Sequence, residues 1–293
     1  MIDLTSERDY VVFGDNADVL RALPDESFQL VYVDPPFNTG ATRRRRTLRT
    51  TRDEGGDRTG FGGRRYRTEA SGVREFGDSY PDYVGFLGPR LAEARRLLSA
   101  DGTLYVHLDY REAHYVKVLL DGVFGSRAFL NEIIWAYDYG GRARDRWPAK
   151  HDTILVYAKH VGAHHFDRTA IERIPYMAPG LVTADKAARG KLPTDVWWHT
   201  IVPTAGSEKT GYPTQKPAGV LRRIVHASSA PGRRVLDFFA GSGTTGAVAR
   251  ELGRRFVLVD DSPDALEVMR RRLGDEGIRY VAADGSPLPS REG

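Results

Sequence analysis

The chain has 293 residues, 41% of them hydrophobic, and a formal net charge of +4. That is enough apolar material for one large domain, or one domain with an inserted lobe, while so weak a basic excess does not by itself imply nucleic acid. The absence of cysteine excludes a disulfide scaffold, cysteine-ligated metal centres and the thiol nucleophile used to methylate cytosine at C5, and no leader pattern or run of about 20 apolar residues departs from the expectation of a cytoplasmic protein outside the membrane.

Tyr10 to Phe13 (YVVF) reads as a short buried strand, Gly14, Asp15 and Asn16 as a turn, and residues 17–23 as a short helix closed by Pro24. Phe28 to Val33 (FQLVYV) is a second strand. It must stop at Asp34-Pro35-Pro36, because proline cannot donate to a ladder. Residues 41–80 break the pattern with four consecutive arginines, Arg43 to Arg46, further arginines, and Gly55, Gly56, Gly60, Gly62 and Gly63. Few large apolar residues accompany them, so the stretch reads as a mobile basic loop.

Helical spacing of Phe86, Leu87, Leu91, Ala94, Leu97 and Leu98 predicts a helix over 83–98. A turn at Asp101-Gly102, a strand over 103–108, a helix over 111–120 and strands over 133–137 and 153–158 follow. From 140 to 213 the chain is rich in Arg, Trp, His and Pro and weakly periodic, which marks an inserted lobe. Regularity returns with a helix over 218–228, a strand over 234–237, a helix over 244–252, a strand over 256–259 and a helix over 263–273. Strands alternating with helices predict an α/β fold with a mostly parallel sheet, spanning 1–293 as one domain.

Two segments carry chemistry. In VLDFFAGSGTTGAVARELGRRFVLVDDS (235–262), a strand ending in Asp237 enters a turn with Gly241 and Gly243, then a helix, then a strand ending in Asp260 and Asp261. Glycines let a backbone approach a ligand closely, and a carboxylate after the second strand can take both hydroxyls of a ribose. Gly241, Gly243 and Gly246 also fit a dinucleotide pattern, so NAD(P) and S-adenosylmethionine both remain open on this segment alone. A tight strand-to-helix turn without a ligand is the plainer alternative.

The second segment is VYVDPPFNTG (31–40). Two prolines fix the backbone at a strand's carboxyl end and leave carbonyls without local partners. Asp34 and the Pro35 carbonyl can accept the two N–H groups of an aminated ring, freeing its nitrogen lone pair to attack a methyl sulfonium. Phe37 offers a face on which an extruded base can stack. A proline-stopped strand with a buried Phe is the competing reading.

DPPF at 34–37, TQKP at 214–217 and LDFFAGSGTT at 236–245 together resemble the β-group of DNA amino-methyltransferases. The likeness runs from about Asp9 to Leu273, includes ARRLLSADGTLYVHLDYRE (94–112) and RWPAKHDTILVYAK (146–159), and weakens in the arginine-rich stretch and the lobe. It implies a Rossmann-like S-adenosylmethionine-dependent methyltransferase fold in circularly permuted motif order, the catalytic motif preceding the cofactor motif. Residues 140–213 would then be an inserted target-recognition region. By the resemblance, Asp34, Pro35, Pro36 and Phe37 hold the target base. Asp34, Asp237, Phe239, Gly241, Ser242, Gly243 and Thr244 line the cofactor pocket, with Asp260 on the ribose, Asp15 near the adenine, and Thr214 and Lys216 near the methionine end. Phe238 stands where many members have proline, which should alter the turn slightly. The resemblance favours adenine N6 as the target over cytosine N4, since aspartate before the prolines resembles the adenine enzymes.

Double-stranded DNA would be the substrate, and its phosphates must be offset. Arg43, Arg44, Arg45 and Arg46 follow DPPF directly, and Arg142, Arg144, Arg146 and Lys150 form a second basic group around Trp147. A solvated charged face is the alternative for each. Trp197, Trp198 and His199 read either as target-reading residues or as core of the lobe, with core favoured. A separately encoded restriction endonuclease and a second copy of the chain are candidate partners; no metal is called for by any His/Asp/Glu spacing. An NAD(P)-dependent oxidoreductase would leave DPPF and TQKP unexplained, and a non-catalytic nucleic-acid-binding protein would have no need of an intact DPPF.

Overall fold

The computed structural model describes residues 2–38, 41–52, 58–59, 65–78, 80–141, 143–203 and 206–289. They fall into two units, Met1–Pro35 with Val84–Gly293, and Pro36–Tyr83.

In the larger unit, β1 (Asp9–Phe13), α1 (Asn16–Ala22) and β2 (Phe28–Val33) open the chain. After the smaller unit come α2 (Tyr83–Leu97) and β6 (Leu98–Leu108), α3 (Ala113–Phe124), β7 (Phe129–Ala136) and β8 (His151–Ala158). A short helix α4 (Ala184–Arg189) and strand β9 (Val196–Trp198) follow. The last third runs α5 (Ala218–Ser228), β10 (Arg234–Asp237), α6 (Thr244–Glu251), β11 (Arg255–Asp260), α7 (Pro263–Leu273) and β12 (Ile278–Ala282).

These strands make one nine-stranded sheet in the order β12-β1-β11-β10-β2-β6-β8-β7-β9. Leu30 pairs with Val235 and Tyr10 with Val257, so the first and last thirds of the sequence share one sheet. Every residue of β2 is buried, as a strand covered by helices on both faces requires. β8 alone is reversed: it is antiparallel to both β6 and β7, while β9 is parallel to β7. The carboxyl ends of the other strands and the amino end of β8 therefore share one edge of the sheet. No helix among the described residues is long and apolar enough to cross a membrane.

Two strands of this sheet, β9 and β12, lie where no strand is expected. β12 pairs along the whole of β1, and Gly14 permits it, since a Cβ there would sit 2.7 Å from the Cβ of Ala283. The 140–213 stretch contributes β8 and β9 to the main sheet and belongs to the larger unit. The irregular segments of this stretch connect strands of the common sheet.

The smaller unit holds β3 (Ala41–Arg52), β4 (Arg58–Thr59) and β5 (Arg65–Asp78), an antiparallel sheet in the order β3-β5-β4. A loop is the sequence expectation here, and the described residues are strands instead. Thr42, Thr47, Thr50, Thr51, Thr68, Val73 and Phe76 supply β-branched and aromatic residues along both long strands, enough for a paired ribbon despite the arginines. The five glycines that argue for a loop lie outside the described residues. The unit is closed at its ends by Asn38, whose Oδ1 accepts from the Tyr80 amide at 2.7 Å, and by Tyr83, whose hydroxyl donates to the Pro36 carbonyl at 2.6 Å.

Candidate active site

From β10 the chain crosses through α6 to β11 on one side; from β2 it continues to β6 on the other. The connections diverge between β10 and β2, and in open α/β sheets that divergence leaves a crevice at the carboxyl edge where ligands bind. Asp237 and Asp34 end the two strands that flank it.

On the β10 side, the turn is held from inside. The Asp237 carboxylate accepts from the Phe239 amide at 3.1 Å and from the Thr245 hydroxyl at 2.6 Å. Gly243 caps α6 in the left-handed region at φ 70°, and a Cβ there would sit 2.8 Å from Met269 Cγ. A Cβ on Gly246 would meet Leu258 Cδ1 at 2.7 Å. The second and third glycines thus serve close packing of α6 on β11 and α7. Gly241, at φ 49°, donates its amide to Asp260 Oδ2 at 2.7 Å, and the Tyr212 ring lies over it. The other Asp260 oxygen accepts from the Ser262 amide at 2.9 Å. Phe238 is fully buried, and its carbonyl accepts from Asn16 at 2.7 Å, so this departure from the family pattern packs inward. Phe239 is half-buried beside Phe86, their ring centroids 6.1 Å apart. Ser242 and Thr244 are buried and bond each other at 3.0 Å; Thr244 also takes Arg272 at 2.8 Å and donates to the Lys216 carbonyl at 3.3 Å. The Thr244 hydroxyl thus ties the turn to α7 and to Lys216 just before α5.

Burial pushes the Asp237 carboxyl up to about 7, against the pull of its two hydrogen bonds, with Asp34 and Asp260 adding to the rise. Burial likewise lifts Asp260 to about 6. A carboxyl whose folded value lies above its unfolded one stabilises the fold fully only below the unfolded value, and that contribution is lost as pH rises through the folded one. Asp237→Asn never ionises; its oxygen can keep the Phe239 amide while its NH2 donates to the Thr245 hydroxyl, which then accepts. It is expected to raise the melting temperature of the ligand-free protein near pH 8, by an amount worth roughly 2–4 kcal/mol, and the gain should fade as pH falls toward 4. Thermal melts across that range check it; a pH-independent difference would show that the charge is not the cause.

On the β2 side, Lys216 lies just before α5 and donates its ammonium to Asp34 Oδ2. Lys216 is buried, and Asp34 is largely so. The other oxygen, Asp34 Oδ1, is buried with no hydrogen-bond partner among the described residues. Leaving a buried acceptor unsatisfied costs about 1–3 kcal/mol, so this oxygen is set to receive a donor. Pro35 is buried beside it. Thr214 holds a left-handed backbone at φ 59° and is exposed. Gln215 braces the segment, accepting from the Thr210 amide at 2.9 Å and donating to the Glu208 carbonyl at 2.7 Å. Pro36 and Phe37 begin the smaller unit.

Asp15 stands at the carboxyl end of β1, where the Gly14 amide donates to the Asp260 carbonyl at 3.1 Å. Its carboxylate caps α1 through the Ala17 amide at 2.7 Å and meets Arg90 at 3.3 Å. Among the residues implied for the pocket, the larger unit therefore gathers Asp34, Lys216, Asp237, Gly241 and Asp260 at the carboxyl edge, with Asp15 one strand further along.

The connection from β7 to β8, residues 137–150, turns at the same edge. Arg144, Arg146 and Trp147 are exposed there; Arg146 pairs with Asp145 at 2.6 Å, and Lys150 donates to the Tyr139 carbonyl at 3.0 Å. Arg142 lies outside the described residues, and for Arg43 to Arg46 the backbone strand alone is described. Trp197 is core, its indole nitrogen donating to the Thr194 carbonyl at 2.7 Å, whereas Trp198 is exposed at the end of β9. Sequence reasoning does not anticipate Asn16, Tyr212 or the buried set Tyr32, His107 and Asp152. Polar residues inside otherwise apolar strands are the signal that marks the last three.

A family model described as DNA methylase matches residues 28–271. Over 295 aligned residues, 98% of this chain and 90% of the relative, the chain is 27% identical to the DNA adenine methyltransferase YhdJ of Escherichia coli (strain K12). Two solved structures share the fold. The PvuII DNA methyltransferase, described as cytosine-N4-specific, superposes with a TM-score of 0.63 at 16% identity, covering 92% of this chain and 87% of that one. The M1.HpyAVI–SAM complex gives 0.57 at 18% identity, covering 90% and 98%.

Proposed function

This chain belongs to the DNA methylase family, and from that premise we propose that it methylates the exocyclic N6 of adenine in DNA. S-adenosylmethionine is the donor, and it supplies a methyl group on a sulfonium. The pocket's residues suit it: a glycine turn, a carboxylate at the next strand's end, and a lysine opposite. The observation that carries the reading is the buried Oδ1 of Asp34, an acceptor awaiting a donor across the crevice from that turn.

In this reading Asp34 Oδ1 takes one amine N–H and the Pro35 carbonyl the other, with Phe37 stacking on the extruded ring. Drawing both N–H groups aside turns the nitrogen lone pair out of conjugation. As the nitrogen takes the methyl group the carbon–sulfur bond would break to leave a neutral thioether; the nitrogen gains positive charge, which the carboxylate stabilises, and then loses one N–H proton to become the neutral methylamine. Asp237 keeps the turn in shape, and Asp260 accepts from the ribose hydroxyls. Arg43 to Arg46, Arg142, Arg144, Arg146 and Lys150 contact DNA phosphates. A restriction endonuclease and a second copy of the chain are further proposed partners.

Adenine is favoured by the aspartate at position 34 and by the adenine-methylating relative; the fold itself is shared with a cytosine-N4 enzyme. Mass spectrometry of nucleosides from methylated DNA tests the assignment. N6-methyladenine is the expected product, and N4-methylcytosine alone would overturn the base while sparing the mechanism. Sequencing that reads modified bases would give the recognition site as well.

Asp260→Ala is expected to weaken binding of S-adenosylhomocysteine by about 1–3 kcal/mol in calorimetry, the scale of hydrogen bonds to a charged group. Since Asp260 titrates at about 6, affinity for the parent should also fall as pH drops through that value, and the alanine variant should lack that dependence. Unchanged affinity would remove Asp260 from the pocket.

A further inference from the structure

Among the described residues Trp147 is the most exposed large apolar side chain, at 96%. An indole held in water forgoes the gain of burying it. The segment around it is braced at its base. The Lys150 ammonium donates to the Tyr139 carbonyl at 3.0 Å and to the Gly141 carbonyl at 2.5 Å, and the Tyr137 amide donates to the Lys150 carbonyl at 3.1 Å. An ammonium has three donors, so this clamp does not compete with a phosphate contact. Pro148 follows Trp147 and keeps its backbone out of the helical region. The segment leaves β7 and returns to β8 at the edge where β2 delivers Asp34. In the sheet order β8 lies two strand spacings from β2, roughly 10 Å. Trp147 stands four residues before His151, the first residue of β8, a span of at most about 14 Å. Trp198, the other exposed tryptophan, ends the outermost strand, four spacings from β2. Arg144 and Arg146, beside Trp147, are exposed as well.

We propose that Trp147 enters the duplex where the target base leaves it and stacks in the vacated slot, with Arg144 and Arg146 on the neighbouring phosphates. The inference rests on reading Asp34 as the acceptor of an amine on an extruded base. Extrusion breaks the pairing and stacking of that base. It leaves its neighbours roughly 7 Å apart, twice the rise per base, which is room for one flat ring. Apolar side chains are known to occupy opened base steps in this way. Base–aromatic stacking does not depend on which bases flank the ring, so a residue that fills the slot needs no match to the sequence. A rotamer-rich side chain would lose more freedom on entering than an indole does. Trp147 thus belongs to the extrusion step and not to methyl transfer: it touches the duplex and not the reacting nitrogen.

The test measures the affinity of parent and Trp147→Ala, in the presence of S-adenosylhomocysteine, for two duplexes of the recognised sequence. One has thymine opposite the target adenine. The other has a pyrene nucleotide there, whose ring fills the slot and leaves no room for a side chain. On the first duplex the variant is expected to bind about tenfold more weakly than the parent, the scale of one base–aromatic stacking contact. On the second the two should bind alike, because with the slot taken the indole contributes nothing. Trp147→Phe, which keeps a flat ring, should fall between them on the first duplex. Equal affinities of parent and alanine variant on the first duplex would mean that the indole makes no contact with DNA. A tenfold deficit that persists on the pyrene duplex would put its contact in a groove or on the backbone. Either result overturns the proposal. Both substitutions change an exposed side chain, so the melting temperature should match the parent's. The underlying reading has its own readout: 2-aminopurine at the target position should brighten when the parent binds. If it stays dark the base is not extruded, and that reading falls together with the slot.

Discussion

Asp34→Ala is expected to abolish methyl transfer while leaving S-adenosylhomocysteine and DNA binding close to parent levels. The ground-state amine is neutral and makes at most one hydrogen bond to Asp34 Oδ1. In the transition state the nitrogen rehybridises and takes on charge, so the same contact becomes much stronger, and an interaction of that kind is lost from the rate and not from binding. Removing one such preorganised group typically costs about 10²–10³ in rate, or roughly 3–4 kcal/mol. The loss should be larger here, because the variant also leaves the Lys216 ammonium beside the reacting nitrogen without its contact carboxylate. That orphaned cation also threatens folding, since uncovering a buried charge is strongly destabilising. Asp34→Asn is the control: it preserves shape and one acceptor oxygen and should fall between parent and alanine in rate. Single-turnover transfer of a labelled methyl group, with anisotropy for DNA and calorimetry for cofactor, reads all three quantities. Full activity in Asp34→Ala would refute the mechanism; lost cofactor binding would make Asp34 a pocket residue and not a group acting on the base.

Changing Arg43, Arg44, Arg45 and Arg46 together to alanine is expected to weaken DNA binding and flatten its salt dependence. Each phosphate neutralised by a basic side chain adds about 0.9 to the slope of log affinity against log salt on duplex DNA. Four contacts would therefore reduce the slope by up to roughly 3–4 and affinity by about two orders of magnitude at moderate salt. Cofactor affinity should not change. Identical slopes for parent and variant would mean that this strand presents only a solvated basic face. An equivalent change at Arg144, Arg146 and Lys150, on the connection that turns at the carboxyl edge, would then become the decisive comparison.

The sequence announces the sheet's centre and both flanks of the crevice, for physical reasons. Phe28 to Val33, broken only by Gln29, and Phe256 to Val259 are apolar runs because strands buried on both faces need them, and prolines or glycines mark their ends. Helices α5 and α7 are legible because their apolar positions recur at helical spacing, and both begin and end where that spacing does. β9, of three residues, is too short for a pattern to stand out, and in β12 Arg279 interrupts the apolar run; both exist through pairing, with β7 and β1. The arginine ribbon is hidden for another reason: its pattern carries no apolar alternation, so composition points to a loop while backbone pairing makes strands. At the site, Asp34, Asp237 and the glycines can be read from local pattern. The contact between Lys216 and Asp34 cannot, since it joins residues brought together only by the pairing of β2 with β10.

That pairing also bears on how the chain comes to be folded. Leu30 finds its sheet neighbour in Val235, and Tyr10 in Val257. During synthesis β1 emerges before either of its sheet neighbours, β11 and β12, and β2 before β10 on one of its two sides. Contacts this distant in sequence form slowly, because the intervening chain must be gathered before they return any stability. Until β10 and β11 leave the ribosome, the open flank of β2 is an unpaired edge exposed to other nascent chains. A chain truncated anywhere before β10 would carry that edge permanently, and its fate would be aggregation or proteolysis and not a partial enzyme.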